Sequence, residues 1–301
     1  MLPEWYFNYK SFIETSLNRY LEIYFSDEKN IALNSIKESC FYAVKNGKRI
    51  RAILALEFYI LISWKTFDNI KQEDDILKFC IALELLHAYS LVHDDLPCMD
   101  NDEYRRWELT VWKKYGETIA TLCGDLLNSL SFEILWEIWN TTLVKVFWEA
   151  VWIKWMLGWQ VLDLFYEQYP EKLTFESLLE VHNKKTWALI QVAVFWWLLL
   201  GNLSLWKEQK YKKEDLKEYI EYGKKIWLAF QIKDDILDVE WSLQETWKSV
   251  GWEQKGFVYF LGIEKSKQYL NDIKNESLQI IKNLWSQKLE FLTQYIAERK
   301  K

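Results

Sequence analysis

The segment from Leu91 to Trp107 reads LVHDDLPCMDNDEYRRW and places five acidic side chains within ten positions. The residues before it are apolar at helical spacing, so a packed helix leads directly into this acidic stretch. Clustered carboxylates at the C-terminal end of a helix repel one another, and the helix dipole there is also negative. The sequence therefore predicts a cationic partner for these carboxylates. The five residues are Asp94, Asp95, Asp100, Asp102 and Glu103.

Carboxylate oxygens without apparent histidine or cysteine ligands favour Mg²⁺ or Mn²⁺ over zinc as that cation. The alternative interpretation is a solvated acidic loop in which Asp100 or Asp102 caps the N-terminus of a helix.

A second acidic cluster stands in the stretch 230–241, FQIKDDILDVEW, which contains Asp234, Asp235 and Asp238. On a helix Asp234 and Asp238 are one turn apart and share a face, with Gln231 one turn earlier. Two such clusters on apolar helices predict two metal-binding surfaces that face one cavity. The alternative is two unrelated charged helix faces.

The fold class follows from the scarcity of helix breakers: the 301 residues include 3 prolines and 9 glycines. Apolar residues recur at helical spacing over 53–62 and 216–236, and no run alternates cleanly between apolar and polar. We therefore predict an all-α fold, a single helical domain over residues 1–301. Residues 188–206 are apolar enough to cross a membrane, but a buried central helix is the preferred interpretation, and no membrane span is predicted.

Composition excludes several classes of protein. Apolar residues make up 50% and charged residues 27%, which argues against disorder. The net charge of −6 argues against a general nucleic-acid binder. Four cysteines without C-x-x-C spacing indicate reduced thiols, and the N-terminus lacks a secretory signal pattern, so a cytoplasmic protein is expected.

Basic residues stand near both acidic clusters. Magnesium held by few carboxylates usually takes substrate phosphates as its other ligands, and a diphosphate also needs direct cationic contacts. Individually these side chains are ordinary surface charges, whereas together they predict two anion sites. His87, two helical turns before Asp94, is either a phosphate contact or a core histidine. The basic residues are Lys48, Arg49, Arg51, Arg105, Arg106, Lys184 and Lys185, the last followed by Thr186.

Taken together, these motifs resemble those of the trans-isoprenyl diphosphate synthases of the farnesyl and geranylgeranyl type. The similarity runs in family order over roughly residues 30–270. The matching segments are GKRIR (47–51), ELLHAYSLVHDDLPCMDNDEYRR (84–106), TVWKKYGETIATLCGDLLNSLSFEIL (110–135), GWQVLDL (158–164), KTWALI (185–190), LAFQIKDDILDV (228–239) and GFVYFLGIEKSK (256–267).

The resemblance implies a helical bundle around a central cavity, a homodimer, and three Mg²⁺ ions, with Mn²⁺ as a possible substitute. It implies metal ligation by Asp94, Asp95, Asp100, Asp234, Asp235 and Asp238, and contacts to an allylic diphosphate from Arg105, Lys185 and Lys248. It implies an isopentenyl diphosphate site at Lys48, Arg51, His87 and Arg106, and places Thr186 and Gln231 beside the developing cation.

The implied reaction condenses isopentenyl diphosphate with dimethylallyl or geranyl diphosphate to form farnesyl diphosphate. Tyr89, five residues before Asp94, is expected to limit the product to fifteen carbons; otherwise it is a plain core residue. A geranylgeranyl diphosphate synthase, a terpene cyclase, a non-catalytic synthase subunit and a membrane-embedded helical protein remain as alternatives.

The chain has 19 tryptophans, an unusual number beside 9 glycines. Several stand where the family's motifs carry glycine or another small residue. One hypothesis is that a codon read as glycine in the source has been translated as tryptophan; the alternative is a true tryptophan-rich variant. Under the first hypothesis, the tryptophan form is expected to be inactive. The positions are Trp107, Trp159, Trp187, Trp227, Trp247 and Trp252.

Overall fold

A computed structural model describes residues 2–71, 74–151, 156–186, 217–244, 256–284 and 286–299. These ranges are built almost entirely of helices, which confirms the all-α prediction. The apolar stretch 188–206 and the residues Trp187, Trp247, Lys248 and Trp252 lie outside them.

The first part of the chain, up to residue 151, forms eight helices and one short hairpin within the described residues. A single 3₁₀ turn, Ile31–Leu33, precedes α2. The helices are α1 (Glu4–Tyr24), α2 (Asn34–Ala43), α3 (Ile50–Ser63), α4 (Phe67–Ile70), α5 (Asp74–Asp94), α6 (Val111–Tyr115), α7 (Glu117–Trp136) and α8 (Thr141–Val151), and the strands are β1 (Tyr104–Arg105) and β2 (Glu108–Leu109).

The described residues after 155 form six further helices, and a 3₁₀ turn, Pro170–Lys172, separates the first two. The helices are α9 (Met156–Gln168), α10 (Phe175–Thr186), α11 (Lys217–Gln244), α12 (Phe257–Leu261), α13 (Ile263–Leu284) and α14 (Gln287–Glu298).

The chain divides into two compact units. Unit 1 comprises Met1–Leu56 and Lys65–Lys145, and unit 2 comprises Glu57–Trp64 and Val146–Lys301.

The core of unit 1 is built around α5, which packs closely on α7. Most residues of α5 between 76 and 92 are buried, so this part of the helix has no continuous polar face. The helix is long and apolar enough to cross a membrane, but 72% of its most apolar window is buried inside the protein. Such burial is the pattern of a core helix in a soluble protein.

The core of unit 2 surrounds α11, which packs against α10, α12, α13 and α14. Ser286 caps α14 by accepting a hydrogen bond from the Leu289 amide at 3.2 Å. The Tyr222 hydroxyl, fully buried, hydrogen-bonds to the Thr293 hydroxyl at 3.0 Å and ties α11 to α14. The central apolar cluster consists of Leu173, Leu178, Ala229, Ile232, Ile236, Phe257, Leu270, Ile273 and Ala297.

The β1–β2 hairpin was not expected from the sequence pattern, because its strands are two residues long. Tyr104 pairs with Leu109 and Arg105 with Glu108. The two turn residues, Arg106 and Trp107, have φ angles of 54° and 69°. Positive φ at both central residues defines a type I′ turn, in which the second position strongly favours glycine.

Left-handed backbone recurs at other tryptophans. Trp64 and Trp139 have φ angles of 55° and 53°, and both indoles are 83% exposed. In contrast, Trp159 and Trp227 lie inside helices and are buried, and the Trp227 ring stacks on Phe230 at 5.0 Å.

Candidate active site

The first acidic motif begins at the C-terminal end of α5 and continues into the loop before β1. The Asp100 amide donates to the Asp94 carbonyl at 2.9 Å, so the loop folds back on the end of the helix. Asp94 is half-buried and Asp100 is exposed. The fold therefore brings two of the predicted ligands to adjacent backbone positions, although five residues separate them along the chain.

Asp95 is the buried member of this motif, with 3% of its surface exposed. Arg105 on β1 reaches back to it: Nε lies 2.7 Å from Oδ1 and 3.0 Å from Oδ2. Burial raises the pKa of the Asp95 carboxyl, and the Arg105 guanidinium offsets part of that rise. The negative charges of Asp102 and Asp94 raise it further.

A cluster of cationic side chains lies in unit 1 around His87, which projects from the middle of α5. Arg51, in the first turn of α3, donates from Nη1 to His87 Nε2 at 3.0 Å. Burial, followed by the guanidinium groups of Arg51 and Arg106, lowers the pKa of His87 well below its usual range. His87 is therefore neutral at pH 7 and carries its proton on Nδ1, since Nε2 accepts from Arg51.

The Nδ1 atom of His87 is buried and has no hydrogen-bond partner in the part of the chain that the structure describes. An unpaired buried donor costs free energy, which a phosphate oxygen at this position would recover. Lys48, also predicted for this site, is exposed, and its carbonyl accepts from the Tyr6 hydroxyl at 2.6 Å.

Arg49, between the predicted ligands Lys48 and Arg51, is part of a buried ion pair. Its buried guanidinium donates to the Glu84 carboxylate at 3.0 Å, while the other Glu84 oxygen accepts from the Ala52 amide at 3.3 Å. Glu84 and His87 are three residues apart on α5, so the ion pair lies directly beside the histidine. Sequence reasoning grouped Arg49 with the surface cations and missed this pair.

The second acidic motif lies on α11. The Asp234 carboxylate accepts from Arg299 at 2.6 Å, and the Arg299 side chain is 2% exposed. The Asp235 carboxylate accepts from the Phe257 amide at the start of α12, also at 2.6 Å. Asp238 is exposed. Arg299 follows the last helix in a basic C-terminal segment, and no local pattern in the sequence indicated its contact with Asp234.

A close backbone approach accompanies Asp235. Gly256, with φ of 105°, lies so near that an added Cβ would be 2.9 Å from Asp235 Oδ2. Glycine is thus required there both by the backbone conformation and by the neighbouring carboxylate.

The family model described as polyprenyl synthetase matches residues 34–279 of this chain, which include both acidic motifs. The chain belongs to the polyprenyl synthetase family.

The relatives of this family member include farnesyl and geranylgeranyl diphosphate synthases. It is 36% identical to the farnesyl diphosphate synthase of Micrococcus luteus over 90% of this chain and 91% of that protein. It is 35% identical to the geranylgeranyl diphosphate synthase of Cyanophora paradoxa over 77% of this chain and 76% of that protein.

Solved structures of the family show the same isoprenoid synthase fold. The geranyltransferase of Legionella pneumophila superposes with a TM-score of 0.79 at 26% identity, covering 98% of this chain and 96% of that one. The geranyltransferase of Helicobacter pylori in complex with magnesium and isoprenyl diphosphate has a TM-score of 0.68 at 29% identity, covering 95% and 94%.

The acidic residues of this polyprenyl synthetase fit a hard divalent cation. Their donors are carboxylate oxygens, which Mg²⁺ prefers, and the mutual repulsion around Asp95 is the charge excess that a cation would relieve. Within the described ranges, no three acidic, histidine or cysteine side chains already converge on one metal position. Asp95, Asp234 and Asp235 instead bind donors of the protein itself.

The remaining predicted residues have the following positions. Gln231 is buried on α11, one turn before Asp234, and Tyr89 is buried on α5. Lys185 and Thr186 end helix α10, and only their backbone is described. Lys248 lies outside the described residues.

Proposed function

We propose that this polyprenyl synthetase is a prenyltransferase of the farnesyl diphosphate synthase type. It condenses isopentenyl diphosphate with dimethylallyl diphosphate and then with geranyl diphosphate, and releases diphosphate at each step. Family membership and full-length similarity to farnesyl diphosphate synthases support this reaction.

The observation that carries the proposal is the pair of consecutive arginines at the β1–β2 turn. Arg105 binds Asp95 of the acidic motif, and the charges of both Arg106 and Arg105 lower the pKa of His87 in the cationic cluster. Consecutive residues lie only about 3.8 Å apart along the backbone. One hairpin thus lies within side-chain reach of both the acidic motif and the cationic cluster, which supports a reaction between two diphosphate substrates.

In this assignment the cationic cluster holds the isopentenyl substrate. Arg51 and Arg106 contact its diphosphate with their guanidinium groups, Lys48 contributes a point charge, and His87 donates from Nδ1. Fixing this substrate orients its double bond toward the allylic carbon, and such positioning supplies a large part of the rate enhancement.

The residues that would hold Mg²⁺ are Asp94, Asp95 and Asp100 of one motif and Asp234, Asp235 and Asp238 of the other, with three ions in all and Mn²⁺ as a substitute. Arg105, Lys185 and Lys248 would contact the allylic diphosphate directly. Bound magnesium supplies positive charge that stabilises the diphosphate leaving group.

Two polar side chains are assigned to the organic part of the substrate. Thr186 and Gln231 lie beside the allylic cation as it develops, where their oxygen atoms stabilise positive charge. The surrounding apolar residues keep water from this cation. The proton lost after bond formation passes to a diphosphate oxygen.

Tyr89 is assigned as the residue that limits chain length. It lies five residues before Asp94, more than one helical turn from the reacting centre, and its ring is buried. A phenol ring at this depth stops a fifteen-carbon chain. Geranylgeranyl diphosphate synthesis is the second candidate, supported by the 35% identity to the Cyanophora paradoxa enzyme.

We assign the protein to the cytoplasm as a homodimer, with no nucleic-acid partner and no membrane span.

The test is incubation of the purified protein with Mg²⁺, isopentenyl diphosphate and dimethylallyl diphosphate, followed by chromatography of the dephosphorylated alcohols. A second preparation carries glycine at Trp107, Trp159, Trp187, Trp227, Trp247 and Trp252, because the translation hypothesis predicts activity in that form. Farnesol as the main alcohol supports the proposal, and geranylgeraniol supports the second candidate.

Two variants make the test specific. Asp95→Asn and Asp235→Asn are each expected to lower turnover by about 10²–10³, since each would weaken the binding of the Mg²⁺ whose positive charge stabilises the leaving group. Asp68→Asn, at an exposed site on α4, is the matched control and should retain full turnover. A cyclic hydrocarbon as the product indicates a terpene cyclase, and the absence of any product from both preparations refutes the proposal.

A further inference from the structure

His93 on α5 contacts Tyr89, the residue assigned above to limit product length. The two ring centroids are 4.9 Å apart and the rings are nearly perpendicular, at 73°. The residues are four positions apart, so they lie on the same face of the helix, one turn from each other. An edge-to-face contact of this kind restrains the orientation of both rings.

The His93 ring is itself fixed by α7. Its Nε2 atom lies 3.0 Å from the Thr121 carbonyl oxygen. Because a carbonyl only accepts, Nε2 must be the donor. The Asp125 carboxylate lies 3.8 Å from the same nitrogen. The imidazole therefore donates from Nε2 and has one preferred orientation.

Gly124 on α7 provides the space for this ring. A Cβ atom at position 124 would lie 2.1 Å from His93 Nε2 and 2.3 Å from Cδ2. These distances are far below van der Waals contact, so any side chain at 124 would displace the imidazole. The close approach of α7 to His93 thus depends on a glycine at 124.

We propose that His93, held against Gly124, positions the Tyr89 ring and thereby sets the length of the prenyl product. His93 is a positioning residue: it acts through Tyr89 and does not touch the substrate. The inference rests on the proposed function, because it assigns a determinant of product length to that same reaction. When the imidazole is removed or displaced, the Tyr89 ring turns toward α7, and the growing chain extends past it.

The first readout is the product distribution of the active preparation carrying His93→Ala or Gly124→Ala. Both variants are expected to raise the ratio of twenty-carbon to fifteen-carbon product about fivefold. A change of this size corresponds to the free energy of about one lost hydrogen bond. Tyr89→Ala is the positive control and should lengthen the product most. Ser129→Ala, on the exposed side of α7, is the matched control and should leave the ratio unchanged.

The double variant His93→Ala/Gly124→Ala tests whether glycine 124 acts through the histidine. If it does, the effects are not additive and the double variant has the ratio of His93→Ala alone. If Gly124→Ala prevents folding, the double variant should fold, because the clashing ring is gone. Additive ratios, or a double variant that stays unfolded, overturn the role of Gly124.

A second readout requires no activity. NMR with ring-labelled tyrosine should show slow flipping of the Tyr89 ring in the parent and faster flipping in His93→Ala and Gly124→Ala. Unchanged flipping, or fifteen-carbon product from both variants while Tyr89→Ala makes longer chains, overturns the inference. A parent that makes no prenyl product refutes the proposed function instead, and the ring-flip comparison still decides whether His93 positions Tyr89.

Discussion

At the scale of single residues, the tryptophans in left-handed backbone are the most informative. Trp64, Trp107 and Trp139 all have φ between 53° and 69°, and each indole is at least 77% exposed. The exposed rings gain little from packing, whereas a non-glycine residue in this region costs about 1–2 kcal/mol. The backbone at these positions has the conformation that glycine favours, which supports the hypothesis of a codon translated as tryptophan.

We expect Trp107→Gly to increase the free energy of unfolding by about 1 kcal/mol, because glycine relieves the strain of the type I′ turn. Denaturant unfolding measures the change. Trp112→Gly is the control: its indole donates to the Asp102 carbonyl at 2.8 Å, so this substitution should destabilise the protein. An unchanged or lower stability of Trp107→Gly would contradict the prediction.

The coding DNA provides an independent check on the same residues. The hypothesis predicts one shared codon at Trp64, Trp107 and Trp139 that differs from the codon of Trp112. A single codon at all four positions would refute it.

His87 leads to a prediction about pH. In the unfolded chain the pKa of His87 is about 6.5. In the folded protein the pKa of His87 is lower, because the ring is buried and lies near the guanidinium groups of four arginines, Arg51, Arg106, Arg105 and Arg49. Between these two pKa values the unfolded state binds more protons, so stability falls as the pH decreases below about 6.5, by up to about 1.4 kcal/mol per pH unit.

The measurement is denaturant unfolding of the protein and of His87→Gln from pH 7.5 to 5. The free energy of unfolding of the variant should change less with pH, because glutamine keeps an acceptor for Arg51 but does not titrate. Equal slopes for the two proteins would show that His87 is not the responsible group.

At the scale of elements, the Arg49–Glu84 pair connects the start of α3 to α5. Both side chains are buried, at 6% and 3% exposure, and Glu84 also accepts from a backbone amide of α3. The pair therefore fixes the helix turn that carries Arg51 against the helix that carries His87. Arg49 itself has a left-handed backbone, with φ of 57°.

We expect Arg49→Met to lower the free energy of unfolding by about 3–5 kcal/mol, because it leaves the Glu84 carboxylate buried without its cation. The double variant Arg49→Met/Glu84→Gln should recover part of this loss, since a neutral amide costs less to bury. Thermal and denaturant unfolding measure both. A loss below about 1 kcal/mol for Arg49→Met, as for an exposed pair, would contradict the assignment.

At the scale of the whole molecule, the two acidic motifs are held by donors of the protein itself: Arg105 for Asp95, Arg299 for Asp234 and the Phe257 amide for Asp235. Each motif thus has a compensating partner within the protein. Binding of metal and diphosphate should add to the stability of the native state, because the unfolded chain has no such site.

We expect Mg²⁺ with inorganic diphosphate, at about 100 times the dissociation constant, to stabilise the protein by about 2.7 kcal/mol. For a chain of this length that corresponds to an increase in Tm of several degrees. Asp95→Asn and Asp235→Asn should each reduce the increase, and Asp68→Asn should not. An increase that persists in both motif variants would place the metal elsewhere. Mg²⁺ alone and diphosphate alone are the ligand controls.

The pattern of residues along the chain was enough to predict the helical fold and to locate both acidic motifs. Helix formation depends on the spacing of apolar residues and the absence of breakers, which are local properties of the chain. The placement of His87 two turns before Asp94 follows from helix geometry in the same way.

Tertiary structure alone decided which partners meet these residues. Arg299 and Asp234 are 65 residues apart in the chain, Arg49 and Glu84 are 35 apart, and His93 and Thr121 are 28 apart. The left-handed turn at Trp107 likewise depends on strand pairing in the hairpin. Contacts between distant segments depend on how helices pack, and a local pattern of residue types carries no information about that packing.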